Sequence, residues 1–288
     1  MELLALAEEG AILTTFGDMI RVPAARGSLQ DAKARGVDIR IVYSINDAVK
    51  IAEKTDRQVV HFAVGFETTA PTTAAELVAG PPSNFSVYSA HLLIPPAMLH
   101  LLDAGETPVD GFINPGHVST IIGEVGYKPV AERYSVPQVI AGFEPLDVLF
   151  GVAKILQQID EGRGEIENEY TRAVKPEGNP QALELMDRVF EAADASWRGI
   201  GEIQKSGLSL REAYREHDAT ERFDIKIEDT YEMPHGCRCG DVLRALIYPQ
   251  DCPLFNTVCT PESPVGPCMV STEGSCYIAA KYGGEDFT

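Results

Sequence analysis

The sequence predicts an α/β protein: two Rossmann-like lobes with mostly parallel sheets, followed by a small C-terminal module rich in cysteine. Three observations predict this class. Short apolar runs alternate with longer amphipathic runs from Ala11 to about Gly162, Gly- and Pro-rich stretches interrupt that alternation, and all six cysteines lie within 237–288. Alternation of strands and helices is typical of a parallel sheet covered by helices on both faces.

The apolar runs predict six strands in the body of the chain. They are Ala11–Phe16, Ile39–Ser44, Val59–Phe66, Phe85–Ala90, Val109–Asn114 and Pro137–Phe143. The intervening amphipathic runs predict five helices. These are Asn46–Thr55, Thr72–Ala79, Pro95–Ala104, Val118–Val125 and Pro145–Glu161.

Capping and stop residues support these boundaries. Ser44 offers a hydroxyl to the free N–H groups of the first helix, and Pro145 suits an early helical position where the N–H is unused. Gly105 and Gly162 stand where two of the helices are expected to end.

Two changes in composition predict three domains. The segment 79–84 separates a first lobe, 1–82, from a second, 83–165, and a charged, Gly- and Pro-punctuated stretch begins the C-terminal domain, 166–288. A helix over Gln181–Ala195 is predicted to open that domain. On the helix after Pro145, four apolar residues recur at helical spacing and predict a buried face: Leu146, Leu149, Ile155 and Ile159.

The charge balance narrows the function classes. With 24 basic and 43 acidic residues the chain carries a formal charge of −19, which disfavours binding to nucleic acid or to anionic membrane surfaces. No apolar run approaches the roughly 20 residues that cross a bilayer. The first ten residues have no Lys or Arg and do not resemble a secretory leader. We expect a cytoplasmic protein.

Polar residues follow three of the predicted strands. Glu67, Thr68 and Thr69 follow one strand, and His117 and Ser119 follow another. The loop Gly142-Phe143-Glu144-Pro145 follows a third. Because ligands bind at the carboxyl ends of strands in open α/β sheets, these loops are expected to line one cleft. Helix capping explains each loop singly as well. Neither standard glycine-rich phosphate loop is present.

The cysteines define a second candidate site. Fourteen residues separate Cys237 from Cys252, six separate Cys252 from Cys259, and sixteen separate Cys259 from Cys276. Four thiolates from separate loops can hold a 4Fe–4S cluster or a tetrahedral zinc ion, and the lack of Cys-x2-Cys knuckles favours the cluster. Spacing alone leaves open unmetallated cysteines and which four bind metal. The two left over, Cys239 and Cys268, could be core thiols, a redox dithiol or alternative ligands.

Several sequence strings together carry a family resemblance. FGDMIRVP, GFETTAPTTA, NPGHVSTIIG, AGFEPLD and the tail PHGCRCGDVLRALIYPQDC…CTPESPVGPCMVSTEGSC occur in that order over the whole chain. This combination closely resembles the HypD family of hydrogenase maturation factors. The resemblance implies a scaffold and redox component that assembles the Fe(CN)2CO group of nickel–iron hydrogenases with a HypC-type chaperone and a HypE-type cyanide donor.

The resemblance also implies roles for particular residues. It implies that a 4Fe–4S cluster is held by Cys237, Cys252, Cys259 and Cys276. It further implies that Glu67, Thr68, Thr69, His117 and Ser119 border the cleft in which the iron group is built. We expect a maturation factor with a redox role rather than a free-standing enzyme.

One departure from the family pattern affects these expectations. HypD proteins carry a Cys-Gly-x-His motif and a Gly-Pro-Gly-Cys-Pro-Val-Cys segment upstream of the part that matches, and neither occurs here. The sequence is therefore expected to lack an N-terminal cysteine segment. By itself it is expected not to support cofactor assembly, and to be poorly soluble because a sheet edge is exposed.

Three other functions fit the residues less well. One is an α/β enzyme that uses Glu67 and His117 as acid and base around a structural cluster. Another is an interaction module stabilised by zinc. A third is a non-functional fragment without metal.

Overall fold

The computed structural model describes residues 2–223 and 234–283. The predicted C-terminal domain includes 224–233 and 284–288, which lie outside the described residues, as does Met1 of the first lobe. The described chain is α/β, and both of its larger sheets are parallel. None of the helices in these two ranges is long and apolar enough to span a bilayer.

The first sheet has four parallel strands in the order β2-β1-β3-β4. The strands are β1 (Ile12–Thr15), β2 (Ile39–Ile41), β3 (Val59–Gly65) and β4 (Phe85–His91). Its helices are α1 (Glu2–Glu8), α2 (Leu29–Ala34), α3 (Ile45–Ala52) and α4 (Ala70–Ala79). Two apolar clusters form its core, one including Val59, Ala63 and Phe85 and the other including Leu13 and Val60. Adjacent residues of β3 therefore face opposite layers, as strand geometry requires.

The second sheet has three parallel strands in the order β5-β6-β7. Its elements are α5 (Ile94–Asp103), β5 (Phe112–Pro115), α6 (Gly116–Ile122), α7 (Lys128–Tyr134), β6 (Gln138–Ala141), α8 (Pro145–Asp160) and β7 (Ile166–Asn168). A buried cluster that includes Val118, Tyr127 and Ile140 forms its core. Because β4 pairs with β3, segment 80–84 connects α4 to β4 within the first sheet. The division between the sheets thus comes after β4, and the domain limits as such stay a prediction.

Most predicted element types and several boundaries are confirmed. The Ser44 hydroxyl caps α3 by accepting the Asp47 N–H at 3.2 Å. Pro145 is the first residue of α8. Gly105 and Gly162, just beyond α5 and α8, have φ of +68° and +66°, which glycine adopts at little cost.

The prediction of a helix over Gln181–Ala195 is wrong in its second half. Helix α9 (Pro180–Val189) ends at Val189. The residues that follow form β8 (Phe190–Trp197), which pairs with β9 (Gly201–Leu210) as an antiparallel hairpin. Alanine-rich sequence favours helix locally, but pairing along β9 gives these residues ladder hydrogen bonds that the local propensity does not anticipate.

The hairpin also connects to the first sheet. The Ser89 hydroxyl donates to the Leu208 carbonyl at 2.6 Å, and the Leu93 N–H donates to the Ser206 carbonyl at 2.8 Å. These long-range bonds tie β9 to the segment that joins the two sheets.

The predicted buried face of the helix after Pro145 is wrong. Leu146, Leu149 and Ile159 are exposed and Ile155 is half-buried, whereas Asp147, Gly151 and Gln158 are the buried residues of α8. The four apolar residues do share one side of α8. The opposite side, which carries Asp147 and Gln158, faces the sheet because polar partners bind it there.

The cysteine module consists of short elements around a separate core. After α10 (Ala219–Arg222), these are α11 (Cys239–Leu243), α12 (Pro267–Val270) and α13 (Ser275–Tyr282), with a 3-10 turn over Pro249–Asp251. Their buried cluster includes Val242, Met269 and four cysteines.

Candidate functional site

All six cysteines line one small apolar cavity in the C-terminal module. Leu254, Phe255 and Met269 complete most of its wall. Cys237 is half-buried, and the buried free thiols are Cys252, Cys259 and Cys276. Residues far apart in sequence therefore present four free thiols to a common space.

The two remaining cysteines form a disulfide. Cys239 and Cys268 are bonded to each other, both are buried, and both line the same cavity. The sequence left open whether this pair are core thiols, a redox dithiol or alternative ligands. The structure shows the two cysteines bonded to each other. The disulfide and the four thiols are separate sets of sulfur atoms.

Backbone geometry holds the thiols in place. The Cys259 N–H donates to the Leu254 carbonyl at 2.9 Å, closing the tight loop that presents this thiol. The Val265 N–H donates to Cys259 Sγ at 3.3 Å, a hydrogen bond that stabilises a thiolate. Gly266 allows close packing, since a Cβ at this position would lie 2.7 Å from Cys237 Sγ.

The electrostatics of the cavity keep its free thiols neutral. Burial, together with the charges of the neighbouring Cys252, Cys259 and Cys237, raises the pKa of Cys276 to about 11. Burial likewise raises the pKa of Cys237. Because a metal-bound thiol must be deprotonated, four ionised thiols in this apolar space require positive charge among them.

The donor set fits a soft metal group. Four thiols and no carboxylate or imidazole line the cavity, which suits iron–sulfur or zinc chemistry. Within 2–223 and 234–283, no three His, Cys, Asp or Glu side chains are already gathered closely enough to bind a single metal ion.

A second site lies where the loop after β3 meets the second sheet's helices. Glu67 is 2% exposed, and its Oε1 accepts the Ile94 N–H at 3.0 Å while its Oε2 is buried without a partner. A cavity of about 360 Å³ adjoins this carboxyl and is lined largely by apolar residues, including Pro95, Ile122 and Met186. Asp187, Glu191 and Arg211 also line this cavity, so Glu67 is one of three carboxyl groups beside a mainly apolar wall.

Tyr127 is buried, feels the charge of this carboxyl and contacts one of the predicted loops. Its hydroxyl lies 3.0 Å from Ser119 Oγ, which donates to the Pro115 carbonyl at 2.8 Å. Burial holds the pKa of Tyr127 above its usual value, and the negative charge of Glu67 raises it further. Ser119 and Tyr127 therefore form a buried polar pair within the electrostatic influence of Glu67, and no hydrogen bond among the described residues joins that pair to the carboxyl.

The other predicted residues lie elsewhere. Thr69 begins α4, but its hydroxyl donates back to the Val64 carbonyl at 3.0 Å rather than capping the helix. Thr68 is exposed. His117 is also exposed, and its ring stacks on Phe143 with the centroids 4.2 Å apart. The loops after β5 and β6 meet at this ring contact, and neither His117 nor Phe143 lines the cavity beside Glu67.

No pattern in the sequence marks Tyr127 as a site residue. It lies in a short 3-10 turn over Glu124–Tyr127, where no periodicity marks the inward side. A pairing of Tyr127 with Ser119 requires the turn to fold back on α6, which only the tertiary structure shows.

Replacing Glu67 with Gln is expected to change how stability depends on pH. Burial raises the pKa of Glu67 to about 7, against the opposing effect of N–H groups from its own backbone and from Ile94. Native protein then holds a proton that the unfolded chain releases near pH 4.5, so wild-type stability falls as pH rises from about 4.5 to 7. The loss is about 3 kcal/mol, and Glu67→Gln should lack it.

Urea unfolding at several pH values measures this difference. Glu53→Gln, at an exposed position after α3, is the matched control and should follow the wild type. Parallel stability curves for wild type and Glu67→Gln would show that the carboxyl titrates in the folded protein as it does in the unfolded chain, which would contradict the raised pKa.

The fold and the two sites define a class of protein. It is an α/β protein with two parallel sheets and a C-terminal module that brings four free thiols and a disulfide to one cavity. A family model described as "HypD: Hydrogenase formation hypA family" matches residues 1–283. The chain belongs to the HypD family.

Curated relatives agree with this assignment. A putative hydrogenase expression/formation protein of Methanocaldococcus jannaschii is 49% identical over 281 residues, covering 96% of this chain and 78% of its own length. The hydrogenase maturation factor HypD of Cupriavidus necator is 46% identical, covering 96% and 76%. That of Azotobacter vinelandii is 45% identical, covering 95% and 75%.

Proposed function

We propose that this chain is a maturation factor for nickel–iron hydrogenases, acting as a scaffold and redox component in assembly of the Fe(CN)2CO iron group. The observation that carries the proposal is the family match over residues 1–283, joined to four free thiols around one cavity. The printed names of the relatives support hydrogenase maturation as the process. The iron group itself is cargo, not a resident cofactor.

The resident cofactor in this proposal is a 4Fe–4S cluster on Cys237, Cys252, Cys259 and Cys276. When bound, such a cluster exchanges single electrons. The chain's own part is to exclude water with Leu254, Phe255 and Met269 and to donate the Val265 N–H to the Cys259 sulfur. Burial and hydrogen bonds of this kind tune the potential of iron–sulfur sites.

The disulfide supports the redox part of the proposal. Reduction of Cys239–Cys268 breaks the S–S bond, consumes two electrons and two protons, and yields two thiols. Its position in the wall of the thiol cavity would allow a cluster held by the four thiols to supply these electrons one at a time, with the protons taken from solvent. A purely structural zinc site gives no reason for a second, redox-active pair at the same cavity.

The partners in the proposal are a HypC-type chaperone, which would share the iron group, and a HypE-type cyanide donor. Glu67, which lines the adjoining cavity, and the buried pair of Ser119 and Tyr127 would supply the cleft side chains. Thr68, Thr69 and His117 stay predictions for the rim of that cleft.

Metal analysis tests the cluster. Anaerobically purified protein should contain about four iron and four acid-labile sulfide per chain, with the visible absorption of such a cluster. Cys259→Ser should lose most of both, because one of four ligands is gone, while its matched control Cys268→Ser should keep them. Zinc without sulfide would instead support an interaction module, and equal loss in both variants would contradict the assignment of ligands.

A chromosomal substitution tests the process. In the organism of origin, Cys259→Ser is expected to leave the hydrogenase without its iron group, seen as loss of the CN and CO infrared bands. Unchanged bands would contradict the maturation role even where the purified protein binds a cluster.

A further inference from the structure

Helix α8 turns its apolar side to solvent. Leu149 is 64% and Leu156 60% exposed, and Leu146, Val152 and Ile159 are exposed on the same side. Leu146 and Ile159 are thirteen residues apart in α8, which at 1.5 Å per residue gives this stripe a length of about 20 Å. Contiguous apolar surface of this kind on a folded protein marks a surface that binds something.

Polar bonds fix this orientation. The guanidinium of Arg172 donates to Asp147 at 2.6 Å, and Gln158 donates to Glu167 at 3.1 Å while accepting the Glu165 N–H at 2.9 Å. These contacts are on the sheet side of α8. Rolling the helix to bury its leucines would break all of them and leave Asp147 without its ion pair.

Close packing fixes the orientation a second time. Gly151 faces strand β6, where a Cβ on residue 151 would lie 3.1 Å from the Cβ of Ala141. A leucine turned to this side could not fit at that distance. The exposed stripe is therefore a property of the folded state and not an alternative packing.

A second copy of the chain is a poor occupant. The apolar stripe is nearly symmetric, so an antiparallel pair of α8 helices would place Leu149 of one copy opposite Leu156 of the other. The same alignment would place Glu144 of one copy opposite Glu161 of the other. Like charges meeting at both ends of the interface, on chains of formal charge −19, oppose such a dimer.

The charges at both ends of the stripe favour a basic partner. At the start of α8, Glu144 and Asp147 share the single cation Arg172. At its end, four carboxylates lie close to two cations. The carboxylates are Asp160, Glu161, Glu165 and Glu167, and the cations are Arg163 and Lys154. Both ends therefore carry net negative charge around an apolar centre.

The stripe continues into the loop that precedes α8. Phe143 is 59% exposed, two residues before the helix begins, and it stacks on His117. A molecule seated along the stripe would thus reach the loops that follow β5 and β6.

We propose that the stripe formed by Leu146, Leu149, Val152, Leu156 and Ile159 is the docking surface for a separate protein that presents an amphipathic helix with basic residues at both ends. Apolar burial supplies the affinity, and the acidic ends select the partner and its orientation. The occupied face places that partner beside His117. The inference stands apart from the hydrogenase assignment.

Labelled amphipathic peptides test this surface. Three 16-residue helical peptides are compared by fluorescence anisotropy: one with a leucine face and lysines at both ends, one with glutamates replacing the lysines, and one with serines replacing the leucines. The lysine peptide should bind at least tenfold more tightly than either of the others. Raising the salt concentration from 0.05 to 0.5 M should weaken it, since exposed charges are screened.

Two protein variants locate the binding. Leu149→Gln with Leu156→Gln should weaken the lysine peptide at least tenfold and should leave thermal unfolding unchanged, because both side chains are exposed and Gln suits a helix. Tyr43→Gln removes an apolar side chain that is 95% exposed, outside α8, and serves as the matched control. Glu144→Gln with Glu161→Gln should reduce the preference for lysine over glutamate.

Three results would overturn the proposal. Equal binding to wild type and to the double Gln variant would place the peptide elsewhere. Equal binding of the lysine and glutamate peptides would refute the charge selection. If the wild type is a dimer in sedimentation equilibrium and the double Gln variant is a monomer, a second copy of the chain covers the stripe.

Discussion

Lowering the pH from 7.5 to 4.5 is expected to destabilise the first sheet by several kcal/mol through two buried histidines. His61 on β3 and His91 on β4 are almost fully buried. Burial, with a smaller contribution from the charge of His91, lowers the pKa of His61 to about 3. Burial also lowers the pKa of His91 to about 4. Both are neutral in the native protein at neutral pH.

The direction follows from where the protons bind. The unfolded chain takes up a proton on each histidine near pH 6.5, whereas the folded chain resists it, so stability falls as the pH drops below about 6.5. The limit is roughly 4 to 5 kcal/mol for His61 and about 3 kcal/mol for His91. Glu67 acts in the opposite direction between pH 4.5 and 7, so differences between variants are more informative than the wild-type curve alone.

Local contacts explain why these rings stay neutral. His61 Nδ1 lies 3.1 Å from Thr14 Oγ1, and His61 Nε2 is buried without a partner. His91 Nε2 lies 3.0 Å from Thr73 Oγ1. Hydroxyl partners satisfy neutral imidazole but do not compensate an imidazolium charge.

Urea unfolding of His61→Gln measures the effect. The variant should be less stable than the wild type at pH 7.5, because the site is repacked, and the gap should narrow by at least 2 kcal/mol at pH 4.5. His235→Gln, at an exposed position, is the control. A constant gap across this pH range would mean that His61 is protonated in the folded state.

Replacing Gly123 with Ala is expected to be among the most destabilising single changes. Gly123 ends α6 with φ +66°, and a methyl group there would collide with the Pro176 carbonyl oxygen and the backbone of Gly178. The two segments are interlocked, since the Asn179 N–H donates to the Ile121 carbonyl at 2.9 Å and the Val125 N–H donates to the Pro176 carbonyl at 3.2 Å. Backbone cannot move aside as a flexible side chain can.

Gly105→Ala provides a matched control. Gly105 has φ +68°, but nothing lies within 4 Å of where its Cβ would be. Its substitution should cost about 1 kcal/mol from the left-handed backbone alone. Gly123→Ala should cost at least about 3 kcal/mol and lower the melting temperature by roughly 8 °C. Equal losses for both variants in thermal unfolding would show that the close approach relaxes without cost.

Local signals predicted much of the body correctly. The apolar runs located β3 and β4 nearly to the residue, because buried parallel strands must be apolar on both faces. Ser44 and Pro145 marked helix starts because capping and proline geometry act within a few residues. The hairpin β8–β9 escaped prediction because its stability comes from pairing between strands and from contacts with a distant segment.

The candidate sites were also predicted in part, with local features predicted and contacts between distant residues missed. Cysteine spacing predicted one module containing all six residues, and the family resemblance implied which four belong together. Glu67 and Ser119 were predicted as strand-end residues, but the hydrogen bond between Ser119 and Tyr127 was not predicted. The exposed side of α8 was predicted to be buried, since a periodic pattern gives the position of an apolar face without giving its direction.

By itself the sequence determined the α/β class, the cysteine module and the family, because alternation, spacing and motif order are properties of the chain. Only the tertiary structure decided that Cys239 pairs with Cys268 beside four free thiols, and that α8 presents leucine to solvent. The reason is physical: these outcomes depend on which distant groups meet. Arg172 donates to the Asp147 carboxylate, and the Glu165 N–H, just before β7, donates to Gln158. The free thiols come from separate loops that line one cavity, and no local sequence pattern connects those loops.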